Sequence, residues 1–382
     1  MFTYKCLNPI AAVGLDNFSD QYCPVAENEA ADAILVRSAK MHEMEFGPEL
    51  KVIARAGAGV NNIPLDRCAE QGIVVFNTPG ANANGVKELF IFAAIASIRD
   101  IVGGISWTAS QAGNSDIAAL TEKEKKKFVG HEIKGKKLGV IGLGAIGAKV
   151  ANTAVALGMK VIGFDAFLND NMRAQLDSAV EIAASNEEVV AASDMITLHV
   201  PALPSTIGMV GTDLLAQAKD GLVVINLARD TLVDTDAMRK ALESGKVAKY
   251  VCDFPTGETS DLPNTILIPH LGASTEESED NCAVMAVQEV SDFLENGNIR
   301  NSVNYPQASL ERTGAARITV CHKASADTEA ISAAVKSTGA AITGMISKCR
   351  GDFGYSIFDI DKPSDATEAV MAVEGVIKAR CI

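Results

Sequence analysis

The stretch LGVIGLGAIGAKVANTAVALGMKVIGFDA, Leu138 to Ala166, constrains this chain more than any other. An apolar run ends in Gly142, Gly144 and Gly147 at G-x-G-x-x-G spacing, a helical pattern follows, and a second apolar run closes on Asp165. Strand, glycine turn, helix and strand in that order describe a βαβ unit of a parallel sheet. Glycine at those three places allows the tight turn, lets backbone approach a pyrophosphate, and lets helix pack closely on strand. Ala145 and Ile146, between the second and third glycines, then lie at the helix N-terminus. Asp165 stands where a carboxylate accepts bonds from an adenosine ribose 2′-hydroxyl and repels a 2′-phosphate. The cofactor expected from these residues is NAD rather than NADP.

The same alternation runs through most of the chain. DAILVRS, VIARAGAG, GIVVFNTPG, KVIGFD, MITLHVP, LVVINLA, KYVCDF and TILIPH are short runs, most of them rich in Val and Ile, separated by helix-length segments. The fold class expected is α/β, with two doubly wound parallel-sheet domains of Rossmann or flavodoxin-like type. The polar interval Thr121 to Lys137 reads as a solvated loop between two α/β blocks. STEESEDNCAVMAVQEVSDFLENG reads as a long helix that returns the chain to the first block. From Ala316 the order changes to βαββαβ, a ferredoxin-like arrangement. The domains expected are therefore 1–88 with 276–305, a discontinuous substrate-binding domain; 89–275, a nucleotide domain; and 314–382, a C-terminal module.

Composition removes several function classes. With 48 acidic and 34 basic residues the net charge is −14, which disfavours nucleic acid or an anionic membrane as partner and leaves anionic substrates to a few local cations. The longest apolar run, Leu89 to Ile98, falls short of the roughly 18 residues of a membrane span. MFTYKCLNPI lacks the pattern of a secretory signal, so the cytoplasm is expected. Eight cysteines are scattered without a CxxC pair, pointing to reduced thiols and to no metal site.

Three side chains suit one reaction. Arg229 in NLARD, Glu258 in DFPTGE and His270 in LIPHLGAST each follow a strand of the nucleotide domain, and carboxyl ends of parallel strands converge on the ligand crevice. Oxidising a 2-hydroxy acid needs a base for the hydroxyl proton, which an imidazole supplies, a carboxylate beside it, and a guanidinium fork for the substrate carboxylate. Two further arginines, Arg37 in ILVRSAK and Arg55 in IARAGAGVNN, can donate to a phosphate. Arg37 reads equally as a surface ion-pair partner.

RAGAGVNN, NTPGANANGVKEL, GVIGLGAIG, HVP, INLARDTLVD, DFPTGE and PHLGAST together resemble the D-isomer-specific 2-hydroxyacid dehydrogenase family, over nearly the whole chain. Within it the chain is similar to the branch that oxidises D-3-phosphoglycerate, the first step of phosphorylated serine biosynthesis. The resemblance implies Arg229, Glu258 and His270 as the catalytic residues. It implies His199, Val200, Pro201, Ala228 and Asp253 at the cofactor, with Asp253 facing the nicotinamide carboxamide. It further implies that phosphorylated substrate is held by Arg37, Ser38, Arg55, Ala56, Gly57, Ala58, Gly59, Val60 and Asn82. A homo-oligomer, dimer or tetramer, is expected on the same ground, and lysines such as Lys125 to Lys127 sometimes reach a neighbouring subunit's site among relatives. Two departures stand out: Asp230 replaces the usual glycine after the arginine, and no proline follows Asp165. The C-terminal module resembles an ACT domain, a regulatory module that in this family often binds serine. His322 matches a histidine of the serine-binding members, while Ala324 and Ala341 replace the usual asparagines. His322 therefore reads as a partly exposed structural residue. Competing readings are a reductase of unphosphorylated 2-keto acids and a non-enzymatic NAD-sensing protein.

Overall fold

Three sheets account for the architecture of the computed structural model, which describes residues 1–382. The chain divides into two compact units, Met1–Asn82 with Glu276–Ile382, and Ala83–Thr275.

The first unit opens with five parallel strands, β1 (Phe2–Cys6), β2 (Tyr22–Pro24), β3 (Ala33–Val36), β4 (Val52–Arg55) and β5 (Val74–Asn77). Their order is β2-β1-β3-β4-β5, a doubly wound arrangement. β3 is buried at all four positions and β4 at its first three, as expected of strands covered on both faces. The helix Glu276–Asn296 packs Ala286, Val287, Val290 and Phe293 into the core that also holds Leu35, Val52, Ala54 and Phe76.

The second unit is built on seven parallel strands: β6 (Lys137–Ile141), β7 (Lys160–Phe164), β8 (Val180–Ile182), β9 (Met195–Leu198), β10 (Leu222–Asn226), β11 (Val247–Cys252) and β12 (Thr265–Leu267). The order β12-β11-β10-β9-β6-β7-β8 reverses direction between β6 and β9, and ligands of such sheets bind at the carboxyl ends of the strands flanking that reversal. The helix Ala83–Ile98 buries Val86, Phe90, Ala93 and Ala94 in this unit's core, so its apolar run is a core helix. No single helix is long and apolar enough to cross a membrane.

The last sheet is antiparallel: β13 (Ala316–Lys323), β14 (Ile342–Arg350), β15 (Phe353–Ile360) and β16 (Val376–Cys381), in the order β14-β15-β13-β16 of a ferredoxin-like fold. Alternation splits it between two cores. Ile318, Val320, Phe358 and Ile360 meet the helices Thr328–Lys336 and Thr367–Met371, whereas Cys321, Tyr355 and Ile357 join the core of the first unit. Arg317 and Asp359, both fully buried, form a two-point ion pair at 2.6 and 3.0 Å, and Arg317 also donates to the carbonyls of Asn296 and Leu310. Removing one member would leave a buried charge alone, at a cost of about 3–5 kcal/mol. Those shared bonds and the common core are why the C-terminal sheet groups with the first unit, where the sequence reading had treated 314–382 as a module of its own.

Two other differences from the sequence reading have local causes. The charged interval begins in a helix, Ile117–Glu124, and continues as a 3-10 turn, Lys125–Phe128, because Lys125 pairs with Glu122 and Lys127 with Glu124 at helical spacing. The first unit ends at Asn82 rather than at residue 88, since the helix starting at Ala83 buries Val86, Phe90, Ala93 and Ala94 in the second unit's core.

Candidate active site

The glycine loop is shaped by contacts that leave no room for side chains. Gly142 has φ +93°, and a Cβ there would lie 2.7 Å from the His199 carbonyl; a Cβ on Gly147 would lie 1.9 Å from the Gly142 carbonyl. Gly144, which precedes the helix Ala145–Ala156, has nothing within 4 Å of the same position, and no side chain caps that helix. Its first amides and the positive end of its dipole are therefore available to an anion. Asp165, one residue past β7, accepts hydrogen bonds from the amides of Leu143 and Phe167, each at 2.8 Å. Those bonds lock its carboxylate beside the loop. His199 Nε2 contacts Thr197 Oγ1 at 3.0 Å, while its Nδ1 is buried without a protein partner. Burial holds its pKa down to about 3, so the ring is neutral. Ala145 and Pro201 are exposed, and Ile146, Val200 and Ala228 are half-buried. An open cradle, a placed carboxylate and an orphan ring nitrogen fit a dinucleotide.

Past the ends of β10, β11 and β12, one ring organises the reactive groups. Phe254 lies 4.7 Å from the His270 ring, centroid to centroid, at 52°, and its centroid is 5.9 Å from Arg229 Cζ. The guanidinium and the imidazole thus share a single apolar neighbour. Asn226, fully buried, accepts from the Ala228 amide at 3.1 Å and donates to the Arg229 carbonyl at 2.8 Å, which fixes the turn carrying Arg229. Arg229 Nη1 also donates to the Ala228 carbonyl at 2.6 Å.

His270 itself adopts φ +55°, rare for a residue with a side chain. What holds it there is Asp253: the buried carboxylate accepts the amides of Leu271 and Gly272, each at 2.7 Å. Burial raises the Asp253 pKa against the lowering effect of those bonds. Asp253, for which the resemblance implies a place facing the nicotinamide carboxamide, has each oxygen accepting one amide of the loop that follows His270. Glu258 sits exposed on a turn closed by reciprocal Thr256 and Thr259 bonds, and its carbonyl accepts from Arg239 at 3.3 Å. No ion pair or hydrogen bond joins its carboxylate to His270. Arg229 and His270 are brought to one ring, and Glu258 is not.

In the first unit, Arg37 and Arg55 follow from strand pairing: Val36 on β3 is opposite Arg55 on β4. Asn8 Oδ1 accepts the amides of Arg37, Ser38 and Ala39, each at 3.0 Å, and so sets the turn after β3. Arg55 Nε donates to the Arg37 carbonyl at 2.9 Å, and its Nη1 donates to the Gly59 carbonyl. Gly57, at φ +152°, exchanges bonds with Thr78 at 2.8 and 3.1 Å, and Asn77 holds the Ala58 carbonyl at 2.5 Å. Ala56 is buried, Val60 half-buried and Ser38 exposed. Asn82 Oδ1 is buried without a partner. Arg37 makes the ion pair that the sequence left as one of two readings, Nη2 to Glu279 Oε1 at 2.5 Å.

His322 is 1% exposed rather than partly exposed, because β13 places it between β15 and β16. Its Nδ1 meets the Lys323 carbonyl at 2.8 Å and its Nε2 meets Ser356 Oγ at 2.9 Å. Burial lowers its pKa. Both nitrogens are used within the fold.

Sequence reading missed Asn8, Asn226 and Phe254. The only sequence signal for Asn226 was its place at the end of an apolar strand, and for Asn8 there was none.

Comparison with known proteins adds the following. Residues 92–272 match the family model of the D-isomer specific 2-hydroxyacid dehydrogenase NAD binding domain. The chain is 35% identical over 285 residues to D-3-phosphoglycerate dehydrogenase of Archaeoglobus fulgidus, covering 72% of this chain and 52% of that one. With the Bacillus subtilis D-3-phosphoglycerate dehydrogenase the figures are 36% over 287 residues, 72% and 52%. The chain thus spans about half the length of the curated relatives it matches. Among solved structures, NAD+-bound 3-phosphoglycerate dehydrogenase of Entamoeba histolytica aligns with TM-score 0.62 at 26% identity, over 79% of this chain and 98% of that one.

Proposed function

We propose that this chain, whose residues 92–272 match the D-isomer specific 2-hydroxyacid dehydrogenase NAD binding domain, is a member of that family and oxidises D-3-phosphoglycerate at C2 to 3-phosphohydroxypyruvate with NAD. The observation that carries the phosphorylated substrate is the pair of guanidinium groups on adjoining strand ends, Arg55 bonded to the carbonyl of Arg37. Fixed, always-charged forks of this kind suit a phosphate. The D-3-phosphoglycerate dehydrogenases among the relatives support the same substrate class.

NAD, when bound, accepts the hydride from C2. His270 takes the hydroxyl proton as the hydride leaves, and returns it to the oxygen in the reverse direction. Arg229 holds the substrate carboxylate and polarises the oxygen on C2. Asp253, through the amides of Leu271 and Gly272, keeps the imidazole in its unusual backbone pose. Glu258 takes the role of imidazolium partner that the family resemblance gives it. Gly142, Gly144, Ala145, Ile146 and Gly147 would hold the dinucleotide, Asp165 would accept from the adenosine ribose, Asp253 would serve the nicotinamide end, and His199, Val200, Pro201 and Ala228 would line the cofactor. Arg37, Ser38, Arg55, the Ala56 to Val60 backbone and Asn82 hold the rest of the substrate.

Eight free thiols suit the cytoplasm as the setting. A homo-oligomer is supported by the helix Ile101–Ser110, apolar in sequence yet with no buried residue, where Ile105 is 64% exposed.

A second reading, a reductase of unphosphorylated 2-keto acids, is favoured by the ion pair that engages Arg37 with Glu279. NADH oxidation by the purified chain with 3-phosphohydroxypyruvate and with hydroxypyruvate separates the two. The proposal expects kcat/KM to favour the phosphorylated acid strongly, and NADH over NADPH. Equal or reversed substrate preference selects the second reading.

A further inference from the structure

The carboxylate of Glu279 meets the guanidinium of Arg37 at 2.5 Å, in the same turn where Arg55 bonds the Arg37 carbonyl. It comes from the first turn of the helix Glu276–Asn296, which also carries Glu276 and Glu277. Acidic side chains there are favoured by the helix dipole, so the backbone alone gives Glu279 a place. Both partners of the pair keep solvent contact, with side chains 40% and 42% exposed.

A phosphate entering this neighbourhood competes with a carboxylate for the Arg37 donor. The two anions repel, and the guanidinium edge taken by Glu279 cannot serve a phosphate oxygen at the same moment. A half-exposed ion pair is weak and a glutamate side chain turns easily into water, so exchange is feasible. We propose that Glu279 is a specificity-determining residue: its carboxylate occupies the phosphate position on Arg37 at rest, and phosphorylated substrate binds by displacing it. The inference rests on the phosphate role given above to Arg37 and Arg55. Glu279 weakens binding of any phosphate monoester, and it leaves acids without phosphate nearly untouched because they do not need the exchange.

The test uses Glu279→Gln, a neutral isostere, in the full chain, read in two ways. Calorimetric titration with inorganic phosphate needs no turnover; its affinity is expected to rise about fivefold in the variant, the scale of one exposed ion pair plus one removed repulsion. In the NADH assay, the ratio of KM for hydroxypyruvate to KM for 3-phosphohydroxypyruvate is expected to rise by a similar factor. In an Arg37→Gln background the same change is expected to lose its effect, which excludes a general loosening of the helix. Phosphate affinity that is equal or lower in Glu279→Gln overturns the proposal, whatever the substrate preference. Tighter phosphate binding in a chain that shows no preference for the phosphorylated keto acid keeps this proposal and removes the function reading on which it was built.

Discussion

The glycine loop of the second unit and the arginine turn of the first are built by different physics. Around Gly142 and Gly147 the backbone is so close-packed that one added carbon would overlap a carbonyl, and Asp165 is locked by two amides. Around Arg37 the decisive contact is an exchangeable ion pair between half-exposed side chains. The first arrangement is steric and preformed; the second is electrostatic, and in the reading proposed above Glu279 is its internal competitor. A sterically built site leaves a rigid spacing in the sequence, whereas an electrostatic one leaves only charges, whose partners are fixed by the fold.

That contrast can be broken at several strengths. The largest effect is expected within the second unit's chemistry: His270→Gln should lower kcat by about 10²–10⁴ while NADH binding, followed by fluorescence, persists. Retained turnover would remove His270 as the base. In the first unit, Arg55→Ala should instead act on KM, raising it about ten- to a hundredfold for 3-phosphohydroxypyruvate, the scale of one bond to a charged group, with far less change for hydroxypyruvate. Equal losses for the two acids would end the phosphate role.

The steric character of the loop is sharpened by a pair of variants. Gly147→Ala forces the clash with the Gly142 carbonyl and should cost about 1–3 kcal/mol of stability, together with loss of NADH affinity. Gly144→Ala meets nothing in the protein, so its melting temperature should stay near that of the natural chain while NADH binding weakens, since only the ligand would feel the methyl. Equal melting and binding defects in the two variants would contradict the assignment of open space to the pyrophosphate.

The smallest effects lie in pH dependence and have opposite signs in the two units. His199 is held neutral with a pKa near 3, against 6.5 when unfolded, so the unfolded chain gains a proton first and stability falls as pH drops below about 6.5. Glu289 in the first unit is pushed by burial to about 8, against 4.5, and its Oε2 has no partner. Its folded form keeps the proton, so its contribution is present below about 4.5 and is lost as pH rises toward 8. Melting curves from pH 5 to 9 should show Glu289→Gln flattening the alkaline limb and His199→Asn the acid limb. An unaltered alkaline limb in Glu289→Gln would show that Glu289 is already ionised in the fold.

Legibility in the sequence followed the same divide. β3, β6, β9 and β10 announced themselves as Val and Ile runs, and the three glycines with Asp165 by spacing alone. β1, β2 and β8 did not, because FTYKC, YCP and VEI are short or mixed and become strands only through their neighbours. The residue types of Arg229 and His270 were readable from the chemistry they suit. Their support was not: Asn226 and Asp253 act through backbone amides and carbonyls, and the pairing of Phe254 with both side chains depends on three separate strand ends. The sequence places Glu279 on the helix that returns the chain to the first block, but that its carboxylate reaches Arg37 depends on the fold.

The most direct measurement of the central claim is a single-turnover reaction of the full chain with NAD and D-3-phosphoglycerate carrying deuterium at C2. The account predicts that deuterium appears in the reduced nicotinamide, with a slower rate than for the protiated acid and little reaction of D-glycerate under the same conditions. Reduced cofactor without deuterium, or equal reaction of D-glycerate, would contradict it.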